Sequence, residues 1–160
     1  TAIASSKELR SSGALKSTQV MHNDWSKREK DIHDVIIRNI TAHSYLCWVV
    51  RLLPAMTSIY NVIIDGIIDT EPEENTKSAG TILLGDGGYY GENYPDSMKN
   101  ITVSNVICNN RNAIYVGGFL TDSVINNVIN TNPGCEAVKV TRENGLKNVA
   151  ISNTVVKKNN

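Results

Sequence analysis

The residue types best suited to ligand chemistry gather in Gly85-Asp86-Gly87-Gly88-Tyr89-Tyr90-Gly91-Glu92-Asn93-Tyr94-Pro95, where three tyrosines and two carboxylates share a glycine-rich run. Sugar rings present apolar C–H faces that stack on aromatic rings, and hydroxyls that carboxylates accept hydrogen bonds from. Tyr89, Tyr90 and Tyr94 therefore read as substrate-binding residues. Asp86 and Glu92 are the candidate catalytic carboxylates, since cleavage of a glycosidic bond ordinarily needs two carboxyl groups roughly 5 to 10 Å apart. The alternative is a self-packed surface loop whose tyrosines lie over a neighbouring wall.

Other chemistries find less support. Asp65, Asp69, Glu71, Glu73 and Glu74 form an acidic stretch without the ligand spacing of a calcium loop, and read as a solvated segment. His22, His33 and His43 show no metal spacing and no triad partner, and Cys47, Cys108 and Cys135 form no CxxC pair, so no metal and no cofactor is expected. Lysine plus arginine equals aspartate plus glutamate at 16 each, which removes any global electrostatic case for nucleic acid. No run is long and apolar enough to span a membrane.

The elements that must position these residues follow from a repeat. Leu146-Lys147-Asn148-Val149-Ala150-Ile151-Ser152-Asn153 reads apolar, any, Asn or Asp, apolar, any, apolar, any, Asn or Gly, and copies of it start at Ile32, Ile59, Met98 and Leu120. The third position is Asp34, Asn61, Asn100, Asp122 and Asn148; the sixth is Ile37, Ile64, Val103, Ile125 and Ile151; the eighth is Asn39, Gly66, Asn105, Asn127 and Asn153. Asn and Gly share a tolerance for left-handed backbone, so the eighth position asks for a bend. Period-two alternation ending in a bend describes a strand and a corner, and stacked units of that kind form a solenoid. Equivalent amides would then lie about 4.8 Å apart and bond along a ladder. Apolar stacking would dominate stability and the amides would set register.

A second strand follows each corner: Val49–Leu53, Thr81–Leu84, Ala113–Val116 and Ala137–Val140. Inward residues align as Val50 and Leu52, Ile82 and Leu84, Ile114 and Val116, Val138 and Val140. Arg51, Leu83, Tyr115 and Lys139 are left as an outward column. Arg51, Tyr115 and Lys139 are candidate binding residues for an acidic sugar, set against an ordinary solvated strand face. Successive corners are 27, 39, 22 and 26 residues apart, so one coil carries the insertions, at 69–80 and 85–97. A leucine-rich repeat places its Asn one position later, and a doubly wound fold would need amphipathic crossover helices that the polar 69–76 stretch does not offer. The sequons Asn39-Ile40-Thr41 and Asn100-Ile101-Thr102 fall on corners and strands, where glycosylation is not expected.

Residues 1–30 read as an irregular or partial coil, with 14–21 supplying one strand of it, and 31–160 as a single solenoid domain that is whole or the C-terminal part of a longer chain. No capping segment is evident, so a preceding segment or self-association would cover the open end. Thr1-Ala2-Ile3-Ala4 lacks the basic and apolar regions of a signal peptide.

Ile-His-Asp-Val-Ile-Ile-Arg-Asn-Ile-Thr at 32–41 and Met-Lys-Asn-Ile-Thr-Val-Ser-Asn-Val at 98–106 resemble coils of the pectin-lyase-like superfamily, and most closely the polygalacturonase-like glycoside hydrolases. The resemblance covers about residues 31–156. It implies an all-β, right-handed parallel β-helix of about five coils, secreted or periplasmic, acting on a polysaccharide or oligosaccharide of the pectin kind. The catalytic motifs of that family, Asn-Thr-Asp, Asp-Asp and Gly-His-Gly, are absent, and only Val50-Arg51-Leu52-Leu53 is similar to its Arg-Ile-Lys. The expectation is therefore a carbohydrate-active β-helix. It is either a polysaccharide hydrolase or a piece of one, or a non-catalytic carbohydrate-binding β-helix of the phage-tail or surface-adhesin type. A purely structural solenoid is the third reading.

Overall fold

The structure, a computed structural model, describes residues 3–5, 15–16, 31–43, 48–54, 58–70, 80–85, 97–109 and 112–157. It is a parallel β-helix. The long strands β3 (Ile32–His43), β5 (Ile59–Asp69), β7 (Met98–Cys108), β9 (Leu120–Asn130) and β11 (Leu146–Val156) stack in chain order, with β1 (Ile3–Ser5) beside β3. The short strands β2 (Leu15–Lys16), β4 (Val50–Leu52), β6 (Ile82–Leu84), β8 (Asn112–Val116) and β10 (Glu136–Val140) form the second sheet in the same order. Each coil thus contributes one long and one short strand, and every pairing is parallel.

The register is the one the repeat demands. Ile37 pairs with Ile64, Ile64 with Val103, Val103 with Ile125, and Ile151 with Ile125. In the second sheet Val50, Ile82, Ile114 and Val138 make one inward file, and Leu52, Leu84, Val116 and Val140 the other. Ile64, Val103 and Ile125 have no exposed surface, nor do Ile82, Leu84, Ile114 and Val116. Burying each such side chain contributes about 1.5 to 3 kcal/mol, so these files hold the coils together. β1 joins the first sheet through Ile3 beside Thr41, and β2 joins the second through Leu15 beside Val50.

The long strands are not straight. Among the described residues, all nine non-glycine residues with positive φ are Asn or Asp, and they occupy both the third and the eighth repeat positions: Asp34, Asn39, Asn61, Asn100, Asn105, Asp122, Asn127, Asn148 and Asn153, with φ of 48 to 57°. Gly66 completes the eighth column at φ 71°. The repeat therefore bends twice, where the sequence pointed to one corner and an amide ladder. The reason is local: a side chain that bonds nearby backbone tolerates the left-handed region, and every one of these positions carries such a residue or glycine.

The third-position ladder is directional. Asn61 Nδ2 donates to Asp34 Oδ1 at 2.9 Å and Asn100 Nδ2 to Asn61 Oδ1 at 2.8 Å. Higher up, Asn148 Nδ2 donates to Asp122 Oδ1 at 2.9 Å. In each bond the later coil gives and the earlier one accepts. An ionised carboxylate has no N–H to pass down, so it can only begin a run. Asp34 begins the first run and Asp122 the second, with Lys99 Nζ 3.6 Å from Asp122 Oδ2 at the break. The eighth-position ladder is interrupted instead by Gly66. There Asn105 Nδ2 turns to Asp65 Oδ1 at 2.7 Å, and Asn127 Nδ2 resumes the file on Asn105 Oδ1.

Candidate functional site

Asp86, Tyr89, Tyr90, Glu92 and Tyr94 lie outside the described residues, as do Cys47, His22, Glu71, Glu73 and Glu74. The point from which the insertion departs is described. Gly85 follows β6 at φ 71°, its N–H bonded to Leu52 O at 2.8 Å.

The outward column of the short strands exists as a file: Arg51 pairs with Leu83, Leu83 with Tyr115, and Lys139 with Tyr115. It is not a solvated strip, because Leu83 is only 4% exposed. Trp48 meets Tyr115 edge-on with ring centroids 5.7 Å apart, and Lys139 Nζ lies 3.3 Å from Glu136 Oε2. Arg51, Tyr115 and Lys139 are each half-buried, and Leu83 separates Arg51 from the other two.

A second polar surface lies at the start of the long strands. In the second repeat position, read as "any" in the sequence, His33 pairs with Tyr60, Tyr60 with Lys99, Lys99 with Thr121, and Lys147 with Thr121. This file runs beside the third-position amides. His33 and Tyr60 stack with ring centroids 4.9 Å apart at an interplanar angle of 11°. His33 Nδ1 sits 2.7 Å from Asp34 Oδ2. The strip thus offers an aromatic platform and Lys99 beside exposed amide and carboxylate oxygens, with Lys147 set apart from them by Thr121, which is buried. Asp34 and Asp122 balance Lys99 and Lys147, leaving it neutral overall. The signal for it was present in the sequence as a column, but its members are of mixed type, with only Lys occurring twice, so a search for a motif passes over them.

Three carboxylates at or beside the two corners are held ionised. Hydrogen bonds from Asn61 and then His33 pull Asp34 below its ordinary range. Asn105 and then Ser104 do the same for Asp65, and Asn148 for Asp122. A general acid needs the opposite shift. Asp34 and Asp122 are also three rungs apart, about 14 Å at the ordinary strand spacing, too far to flank one glycosidic bond. Asp65 and Asp69 point to opposite sides: Asp65 is half-exposed, whereas Asp69 is 2% exposed and accepts a bond from Thr81 Oγ1 at 2.9 Å. Among the described residues no three of His, Cys, Asp and Glu converge, and Cys108 and Cys135 are free thiols.

These lowered pKa values have a testable sign. A carboxyl whose folded pKa is depressed stabilises the fold above its unfolded pKa, and that stabilisation is lost as pH falls through the folded value. The melting temperature is expected to be level from neutral pH to about pH 5 and to fall below about pH 4. The Asp34→Asn/Asp65→Asn/Asp122→Asn triple variant should show a shallower acid decline in the same thermal melts. An equal decline in both proteins would assign the acid sensitivity elsewhere.

No family model matches this sequence, and no curated protein or solved structure matches it.

Proposed function

We propose that this chain binds a polysaccharide along its outer wall, as a carbohydrate-binding β-helix of the pectin-lyase-like kind acting outside the cytoplasm. The reading is supported chiefly by the stacked His33–Tyr60 pair set beside the exposed, hydrogen-bonded run of Asp34, Asn61 and Asn100. An aromatic face takes the apolar side of a sugar ring, and side-chain amides both donate to and accept from hydroxyls. Rungs repeating at about the strand spacing suit a polymer lying along the solenoid axis better than a single small ligand. The superfamily placement is supported by the parallel coils and by the corner residues that the resembling repeats contain.

The binding reading is preferred to hydrolysis because the wall carboxylates are ionised and too widely spaced to act as an acid and base pair. A hydrolytic role would rest on Asp86 and Glu92. The test is a polysaccharide panel, acidic and neutral, assayed for binding and for release of reducing ends. Binding without turnover is expected, with Tyr60→Ala weakening it about tenfold, the worth of one aromatic stack. Release of reducing ends that is lost in Asp86→Ala or Glu92→Ala would favour the hydrolase. Retention of nothing on the panel, or unchanged affinity in Tyr60→Ala, would overturn the site.

A further inference from the structure

The charges on the outside of the long strands cancel. Among the described side chains of those strands, the exposed cations are Arg38, Lys99 and Lys147, and the exposed or half-exposed carboxylates are Asp34, Asp65 and Asp122. Arg38 Nε lies 3.6 Å from Asp65 Oδ2, and Lys99 Nζ lies 3.6 Å from Asp122 Oδ2. Lys147 is close enough to Asp122 to add to the positive charge it feels, and His33 Nδ1 is 2.7 Å from Asp34 Oδ2. Each basic group therefore already faces an acid of the same chain.

The amide ladder leaves hydrogen-bonding capacity of both kinds. Asn61 spends one N–H on Asp34 and accepts one bond from Asn100. A side-chain amide has two N–H donors and two lone pairs, so one of each is left on Asn61. Asn100 likewise gives one N–H to Asn61 and keeps the other. A hydroxyl both donates and accepts, so it can answer an amide and a carboxylate in turn. A ligand carboxylate only accepts, and beside Asp34, Asp65 or Asp122 it would set like charges together with no proton between them.

We infer that the polymer taken along this outer wall is uncharged, a hydroxyl-rich neutral polysaccharide, and that polyuronates are refused. The inference rests on the binding reading above and narrows it. A polyuronate carries a negative charge on every ring, so it would have to draw Arg38 or Lys99 from its partner and leave that carboxylate uncompensated beside the bound chain. The short strands offer no substitute row of cations: Lys139 Nζ lies 3.3 Å from Glu136 Oε2, and Leu83 and Tyr115 stand between Arg51 and Lys139. Such a ligand departs from the acidic, pectin-like polymer that the resemblance implies.

The probes are a glucan, a mannan and a galactan, each run beside its C6-oxidised form, in which a carboxylate stands where the primary alcohol stood. Affinity electrophoresis of the full chain gives the Kd for each. At least one neutral polymer should bind about tenfold or more tightly than its oxidised form, and its Kd should move less than about twofold between about 50 mM and about 500 mM NaCl, because there is no ion pair to screen. Asp34→Asn/Asp122→Asn keeps residues that tolerate the left-handed corners and leaves Lys99 and Lys147 unmatched. That variant should bind the oxidised polymer about tenfold better than the parent at low salt and lose the gain at high salt. Circular dichroism checks its fold; if it unfolds, the preference and salt response of the parent chain decide. Tighter binding of an oxidised form by the parent, or a folded variant that gains nothing for it, would overturn the neutral assignment and leave glycan binding standing. Retention of no polymer, neutral or oxidised, would overturn the binding reading and this inference with it.

Discussion

Ile64→Ala is expected to lower unfolding free energy by about 3 to 4 kcal/mol in urea titration, within the range for emptying a buried isoleucine site. Ile64 lies in β5, between Ile37 of the coil before and Val103 of the coil after, with no exposed surface. Its ladder neighbours are held by backbone bonds on both sides, so the walls cannot collapse into the gap and most of the cavity persists. Ile151→Ala removes the same atoms from the same file at the end of the stack, where the side chain is 39% exposed. There the loss should be about 1 kcal/mol, because much of the transfer term was never gained. Equal losses at the two positions would mean that stability is not carried by the inward files.

Gly85→Ala is expected to cost about 2 to 4 kcal/mol, combining a strained backbone region with a clash that has nowhere to go. At φ 71°, a Cβ on residue 85 would lie 2.7 Å from Gly118 Cα and 2.8 Å from Gly118 N. Those atoms are backbone of the next coil, fixed by Gly117 N–H and Gly118 N–H bonds to Leu84 O at 3.0 and 3.3 Å. Relief therefore requires the coils themselves to separate. Gly134 has a similar φ of 76°, but a Cβ there would meet no atom within 4 Å, so Gly134→Ala isolates the conformational part alone. That variant should lose about 1 kcal/mol. A difference of less than about 1 kcal/mol between the two glycines would show that close coil approach is not what residue 85 provides.

Much of the architecture was legible from residue types because a solenoid is nearly one-dimensional. Each coil touches only its neighbours, so a pattern that repeats in sequence must repeat in space. The pairing of Val50 with Ile82 and of Ile64 with Val103 follows from aligning the copies, and a slip of one residue would have turned every apolar side chain outward. The second bend was legible in principle. Asp34, Asn61, Asn100, Asp122 and Asn148 are all residues that tolerate the left-handed region, and a hydrogen-bonding ladder explained them well enough to hide it.

The proposed binding wall was less legible. His33, Tyr60, Lys99 and Lys147 belong to one register column only because coils separated by insertions of different length come back into register. Exposure of the outward column at Arg51, Leu83, Tyr115 and Lys139 also lay beyond the pattern, since period-two alternation assigns a side chain to the outside of the sheet and is silent on what then packs over it. The amino-acid sequence by itself determined the stack, its inward files and the residues that turn its corners, because those depend on contacts one coil away and on backbone preferences of single residues. Only the tertiary structure decided which outward face stays open and that the amide ladder has a direction, each later coil donating to the one before it, because both depend on how whole coils superpose.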